Sequence, residues 1–322
     1  MTRSSALVIS ASCTLFAIGL AGCQNSRAES RPPQIVRLSV SPPESAQTSG
    51  SWELARRYTA ALPHLQFKLV ESTGSVDVLD AIQRGDVDLG LAIGGVASAA
   101  FFGGLEGHAP MHRLRGLSIL GNVVMHLLVR PNSGIQTVAD LRGRRVGIGD
   151  PTSGTHILAR TILGAFELGL GTIRAESLPT HEATAKLMAG ALDAVFVDTR
   201  YPAPPISMAT QAGARLISIE GPRIIQLRRN YPFWRLGAIP RDTYHGQADL
   251  IRTVVVDSVL VARHDLEEGL AYELTKHFFE ALPALSYADG ALSLMDLRQA
   301  AATPIPLHEG AARYHRELEL FQ

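Results

Sequence analysis

The sequence predicts an α/β protein built from two similar lobes. Two observations carry that expectation. A short apolar strand, a loop of Ser, Thr and Gly, and a helix follow one another at three places, and a helix that ends in Gly-x-x-Asp before a buried strand recurs once in each half. Strands that alternate with helices form mostly parallel sheets covered on both faces, and loops at the carboxyl ends of such strands are the usual place for a ligand. With 322 residues, 46% of them hydrophobic, the chain has enough apolar material for two cores.

The beginning of the chain stands apart from that body. Arg3 precedes the apolar run Ala6 to Leu20, and Leu20-Ala21-Gly22-Cys23 follows it with small residues and a cysteine. The run is too short to span a bilayer as a helix and reads as an export signal over residues 1–22. Its end resembles the lipobox of bacterial lipoproteins, which implies lipidation at Cys23 and loss of Cys13 with the signal. The alternative is a plain secretory signal with an incidental cysteine. On the lipobox reading the mature chain holds no free thiol, so disulfides, thiolate metal sites and cysteine catalysis drop out together. Residues 23–33, polar and ending in Arg31-Pro32-Pro33, read as a flexible tether that holds the body at a membrane surface.

The first strand, Gln34 to Val40, alternates polar and apolar residues. It runs through Ser41 to Ser51, a hydroxyl-rich loop, into a helix from Trp52 to Leu62. Phe67 to Val70 is the second strand, followed by Glu71-Ser72-Thr73-Gly74-Ser75 and a helix from Val76 to Arg84. Gly85-Asp86-Val87-Asp88 then leads into the apolar strand that ends at Ile93-Gly94-Gly95. In the second half, Arg145 to Gly149 is a strand. Asp150-Pro151-Thr152-Ser153-Gly154-Thr155 is its loop, and a helix runs from His156 to Phe166. Gly190-Ala191-Leu192-Asp193 repeats the earlier punctuation before the strand that reaches Asp198.

Chemistry concentrates in the loop at 150–155. The first N–H groups of a helix lack intrahelical partners, so amides, hydroxyls and the positive helix end together suit a carboxylate or phosphate. The plainer reading is a helix cap without ligand. Nucleotide motifs fail here. Thr155-His156 stands where a phosphate loop beginning at Gly149 needs Lys-Ser/Thr, and Thr152 replaces the third glycine of a dinucleotide fingerprint beginning at Gly147.

Thirty basic and thirty acidic residues leave no field for nucleic acid, and no aromatic-basic run suggests it. His108 and His112 have a helical metal-ligand spacing, but Pro110 between them argues for a loop and no third ligand is evident, so no metal and no cofactor is expected. A catalytic reading would need a nucleophile beside a base. Ser153 or Thr155 with His156 offers that locally, yet neighbours on a helix do not face one another. No catalytic residue is expected.

The body resembles the TAXI-type extracytoplasmic solute receptors associated with TRAP transporters. The matching segments are Ser72-Thr73-Gly74-Ser75 with Gly85 to Gly90, Leu141 to Gly147 running into Ser153-Gly154-Thr155, Ile239 to Gln247, and Val254 to Glu280. The resemblance covers about 35–285 and implies a two-lobed periplasmic-binding-protein fold, type II-like, with a mixed sheet and flanking helices in each lobe and a ligand cleft between them. It places lobe I at 34–126 with 240–322 and lobe II at 127–239. It also implies a receptor for a small organic anion (amino acid, dicarboxylate or 2-oxoacid), partnered by a TRAP-type membrane permease, located outside the cytoplasm and held by lipidated Cys23. A receptor feeding a membrane sensor kinase is the alternative, and a structural or adhesive lipoprotein is disfavoured by the hydroxyl-rich loops.

Position by position, ligand contacts are expected at Ser51, Thr73, Ser75, Thr152, Ser153, Gly154, Thr155, Asp198, Thr199, Arg200 and Tyr201. This chain departs from the family pattern at Thr48-Ser49-Gly50-Ser51-Trp52, at Ile93-Gly94-Gly95 and at Asp198-Thr199-Arg200-Tyr201-Pro202. One wall thereby loses polar groups and the opposite wall gains Arg200. That guanidinium can clamp a carboxylate or pair with Asp198. Asp198 can take a ligand amine or hold Arg200, and Trp52 and Tyr201 can stack on a ligand or close a core.

Overall fold

The computed structural model describes residues 34–41, 50–231, 233–289 and 299–320. The signal, Cys23, the tether and residues 42–49 of the first loop lie outside them. The body, Gln34–Gln322, is one compact unit.

The first half runs β1 (Gln34–Val40), α1 (Gly50–Ala61), β2 (Leu65–Glu71), α2 (Ser75–Arg84), β3 (Leu89–Ile93) and α3 (Gly94–Phe102). A long strand, β4 (Leu114–Val129), leads out of it. The second half repeats the series as β5 (Arg145–Gly147), α4 (Gly154–Ala165), β6 (Arg174–Glu176), α5 (Thr180–Met188), β7 (Ala194–Thr199) and α6 (Pro204–Gln211). β8 (Arg215–Leu216), α7 (Pro222–Asn230) and β9 (Arg235–Ile239) follow, and the long β10 (Ile251–Arg263) returns before α8 (Glu268–Asp289) and α9 (Glu309–Leu320).

The strand order β2-β1-β3-β10-β4-β7-β5-β6 reads as a palindrome about the β10–β4 pair. β2 answers to β6, β1 to β5 and β3 to β7, while β10 and β4 exchange places. Pairing is parallel within each outer set and antiparallel through the centre, where Val255 lies opposite Val124 and Ser258 opposite Gly121. β3 ends at Ile93, which pairs with Ser258, and β7 ends at Thr199, which pairs with Val124. The carboxyl ends of β3 and β7 therefore converge, from opposite directions, on the segments 121–124 and 255–258.

The Gly-x-x-Asp repeat explains itself in this symmetry. Asp88 accepts from the backbone N–H of Arg37 at 2.7 Å and from its guanidinium, and it pairs with Arg263 at the end of β10. Asp193 accepts from the backbone N–H of Arg145 at 2.9 Å and from its guanidinium, and it pairs with Arg130 just beyond β4. Arg37 also donates to the Gly85 carbonyl and Arg145 to that of Gly190. Each aspartate thus ties the outer strand of its half to the incoming long strand, with two guanidinium groups on one carboxylate. The hydrogen bonds from Arg145, foremost, hold the Asp193 carboxyl well below the usual carboxylate range. Glycine is required at both helix ends, since Gly85 at φ 85° and Gly190 at φ 74° lie in the left-handed region.

Three apolar clusters fill the layers. One contains Leu79 and Val96 of the first half together with Leu158, Ile162 and Phe196 of the second. The others belong to α1, α8 and α9 on the first half and to α5 and α6 on the second. At the end of the chain α9 packs on α8 and β4. No helix among the described residues is long and apolar enough to cross a membrane.

Candidate functional site

The loop at 150–155 forms the expected strand-to-helix turn, but its polar groups face protein partners. Thr152 donates from its N–H (3.0 Å) and its hydroxyl (2.8 Å) to the Asp150 carboxylate. Ser153 caps α4 by accepting from the His156 N–H, and it donates to the Asp150 carbonyl. The Thr155 hydroxyl donates to Asp198. The His156 ring sits 3.4 Å from the Gly149 carbonyl, while the Ser153 and Thr155 hydroxyls turn to the Asp150 carbonyl and to Asp198. Burial lowers the His156 pKa.

The loop before α2 closes onto this turn. Val76 donates its backbone N–H to the Thr152 carbonyl at 3.0 Å, and the hydroxyls of Thr73 and Thr152 meet at 2.6 Å. Gly74 is required by the approach, because a Cβ there would stand 2.5 Å from the Ser153 Cα and 2.6 Å from the Thr152 carbonyl oxygen. Gly154 is just as confined. Its Cβ would stand 2.5 Å from the Ile93 side chain, 2.9 Å from the Asp198 carboxylate and 3.4 Å from the Ser75 hydroxyl. Ser75 is buried and accepts from the Ile93 N–H at 3.0 Å. Thus Thr73, Ser75, Thr152, Ser153, Gly154, Thr155 and Asp198 come together, as a junction between halves. Desolvation pushes the Asp198 carboxyl up to about 6 against the opposing hydrogen bond from Thr155.

Arg200 and Tyr201 lie elsewhere. They line a cavity of about 260 Å³ whose other walls are Asn122 and Val124 of β4, Val255 of β10 and residues 235–238 of β9. Arg200 stands against the first turn of α1, where a Cβ on Gly50 would be 3.5 Å from its Nη2. Within the same wall Arg235 donates to Asp257 at 2.9 Å and also to the Asn122 side chain. Thr199 pairs with Val124 at the end of β7. Ser51 accepts from the Ser41 N–H and Trp52 donates to the Ser41 carbonyl, which joins the start of α1 to the residue after β1.

Behind Tyr201 lies a buried relay. His126 donates from Nδ1 to the Val124 carbonyl at 2.9 Å and accepts at Nε2 from the Tyr244 hydroxyl at 3.1 Å; that hydroxyl in turn accepts from the Ala203 N–H at 3.0 Å. This assignment satisfies every group and needs the neutral ring. Burial lowers the His126 pKa to about 4, which agrees. The relay fixes the turn that carries Arg200 and Tyr201. His108 and His112 turn to different neighbours, Asp80 and the Phe101 ring.

Sequence reasoning missed Asn122, Arg235, Asp257, His126 and Tyr244. The contacts that join them to one another span 22 residues for Arg235 and Asp257 and 118 for Tyr244 and His126. A family model described as the NMT1-like family matches residues 52–318. The chain belongs to the NMT1-like family. Among solved structures, this NMT1-like chain is similar to a Bordetella bronchiseptica protein at 14% identity and TM-score 0.57, over 90% of this chain and 99% of that one. The alkanesulfonate-binding protein SsuA from Xanthomonas axonopodis pv. citri, bound to MOPS, matches at 19% identity and TM-score 0.48, over 89% and 84%. The periplasmic aliphatic sulphonate binding protein SsuA from Escherichia coli matches at 19% identity and TM-score 0.46, over 88% and 83%. The Bordetella bronchiseptica protein shares the α/β fold of this NMT1-like chain, which is built on a mixed sheet of palindromic strand order with flanking helices.

Proposed function

We propose that this protein is an extracytoplasmic solute-binding receptor whose two lobes close over a small organic anion and present the closed form to a membrane transporter. The observation that carries this reading is the meeting of strand-end loops from both halves at the crossing of β4 and β10, with a charged cavity at the same level. The sequence-based lobe division, 34–126 with 240–322 against 127–239, belongs to the proposal, and the two long strands form its hinge. Ligand contacts are proposed at Arg200 and Tyr201, while the 73–75, 152–155 and 198 groups serve as the latch between lobes.

A solute can shift the lobes only as far as it prefers one form over the other. The latch contributes a few polar contacts, so a solute touching both walls is needed to hold closure firmly. The resemblance to TAXI receptors favours a TRAP-type permease as partner and amino acids, dicarboxylates or 2-oxoacids as cargo, with lipidated Cys23 keeping the body near it. Solution X-ray scattering tests lobe movement. A bound solute is expected to shrink the radius of gyration of the ligand-free protein, and an unchanged radius at saturating solute contradicts closure.

A further inference from the structure

The junction between the halves holds an ionisable group at its centre. Asp198 lies near the end of β7, and its carboxylate accepts at Oδ1 from the Thr155 hydroxyl of α4, within the second half. The first half covers it. A Cβ built on Gly154 would lie 2.9 Å from Oδ2 of Asp198, 2.5 Å from the Ile93 side chain and 3.4 Å from the Ser75 hydroxyl. Ile93 and Ser75 of the first half therefore stand against this carboxylate when the loops meet.

The charged and titratable groups around the junction face other atoms. Asp77 of α2 accepts from the Thr73 N–H at 3.0 Å, Asp150 accepts from Thr152, and Asp257 of β10 pairs with Arg235. His126 of β4 bonds to Val124 and Tyr244, and the His156 ring of α4 faces the Gly149 carbonyl. Arg200 stands against Gly50 at the start of α1, and Tyr201 lines the neighbouring cavity. Burial raises the Asp198 carboxyl to about 6, against hydrogen bonds from Thr155 and from its own N–H. Parting the halves returns water to the carboxylate and its pKa to about 4.

Resting on the receptor reading of the two halves, we propose that the latch is operated by a proton: closing the halves over Asp198 takes up a proton from solvent, so mild acid favours the closed receptor and neutral pH loosens it. The proton rests on Oδ2, since Oδ1 accepts from Thr155. A carboxyl whose pKa is higher in the closed form than in the open one favours closure fully below about 4, and that contribution is lost as pH rises through about 6. From pH 7 to pH 5 the closing equilibrium should gain up to about ninefold. Titration of His156, whose pKa burial lowers, would oppose closure in acid, so the direction of the change separates the two groups.

The backbone N–H of Val76 reads the latch directly. It lies in the first turn of α2, where a helix offers no acceptor of its own, and it bonds to the Thr152 carbonyl of the other half at 3.0 Å. The Asp88 N–H, bonded to the Arg37 carbonyl inside the first half, is the reference for whole-chain unfolding. Hydrogen exchange is measured on the full chain, purified in detergent and dialysed free of solute, at pH 5 and pH 7, with correction for the intrinsic pH dependence of exchange. Val76 is expected to be less protected than Asp88 and to gain up to about ninefold in protection at pH 5. Asp198→Asn and Asp198→Ala, whatever their absolute protection at Val76, should each show the same value at both pH values. Equal or lower Val76 protection at pH 5 in the wild type, or a pH dependence that survives in both variants, overturns the proposal. If saturating succinate, glutamate, pyruvate or benzoate raises Val76 protection at pH 7 while acid alone does not, the proton inference falls and the receptor reading stands. If Val76 exchanges only as slowly as Asp88 under every condition, the halves do not part short of unfolding and both fall.

Discussion

Replacing Gly74 by alanine should hold the two halves apart without damaging either. The residue is extended, at φ 172° and ψ −173°, which alanine adopts freely, so the first half folds as before. The effect arises across the junction. The new Cβ would stand 2.5 Å from the Ser153 Cα, 2.6 Å from the Thr152 carbonyl oxygen and 2.8 Å from the Ser153 nitrogen. All three are backbone atoms that cannot rotate away, and carbon atoms need about 3.5–4.0 Å, so the loops must part by about 1 Å or more. That separation breaks the Val76-to-Thr152 hydrogen bond and the Thr73–Thr152 contact. At about 0.5–1.5 kcal/mol each, the closed form loses about 1–3 kcal/mol. Solute affinity should then fall about 5- to 150-fold, at 1.4 kcal/mol per factor of ten. Calorimetry gives the affinity and solution scattering gives the opening. Wild-type affinity together with a wild-type scattering curve would refute the latch.

Other consequences follow from the same contacts. Asp88→Ala leaves Arg37 and Arg263 facing one another without their carboxylate and should lower stability by about 3 kcal/mol in urea unfolding; a loss under about 1 kcal/mol would show that the aspartate does not tie the strands. Tyr244→Phe strips partners from the Ala203 N–H and from His126 and should cost about 1–3 kcal/mol. It should also weaken solute binding, since the turn carrying Arg200 loses its anchor, and an unaltered affinity would separate the relay from the site.

The pH dependence runs in a stated direction. With Asp198 pushed up to about 6, the folded protein holds a proton that the unfolded chain gives up near 4, so this group favours folding below about 4 and the contribution is lost as pH rises through 6. Its full size is about 2–3 kcal/mol at most, because the side chain keeps some surface. Asp198→Asn should flatten the change in melting temperature between pH 5 and 7, and an unchanged slope would place the titration elsewhere.

How far the sequence revealed this arrangement depends on the range of the interactions. The strand, loop and helix at 145–165 were legible because periodicity and a Ser cap are local signals. Gly-x-x-Asp was visible as a repeat, but its meaning was not. Asp88 and Arg37 are 51 residues apart, and Asp193 and Arg145 are 48 apart, so only the folded strands show a carboxylate joining them. The hydroxyls at 152–155 read correctly as a helix start. Their engagement by Asp150, Thr73 and Asp198 was hidden, since small polar residues before a helix look the same whether they meet a ligand or a neighbouring loop. Ile93-Gly94-Gly95 suggested a wall without polar groups. In the fold these glycines begin α3 under close contact, with Val259 at 3.2 Å from a Cβ on Gly94 and the Trp234 ring nitrogen at 3.6 Å from one on Gly95. Arg235 and Asp257 carried no motif at all, because an ion pair across two antiparallel strands leaves no periodic trace.

The most direct test of a solute receptor is a thermal-unfolding screen of the ligand-free protein against monocarboxylates, monosulfonates, dicarboxylates, 2-oxoacids and amino acids. A solute present at a hundred times its dissociation constant adds about 2.7 kcal/mol, a readily visible rise in melting temperature. The account predicts such a rise for at least one class of small anion, reduced with Arg200→Gln. A folded, ligand-free protein whose melting temperature no solute raises would contradict it.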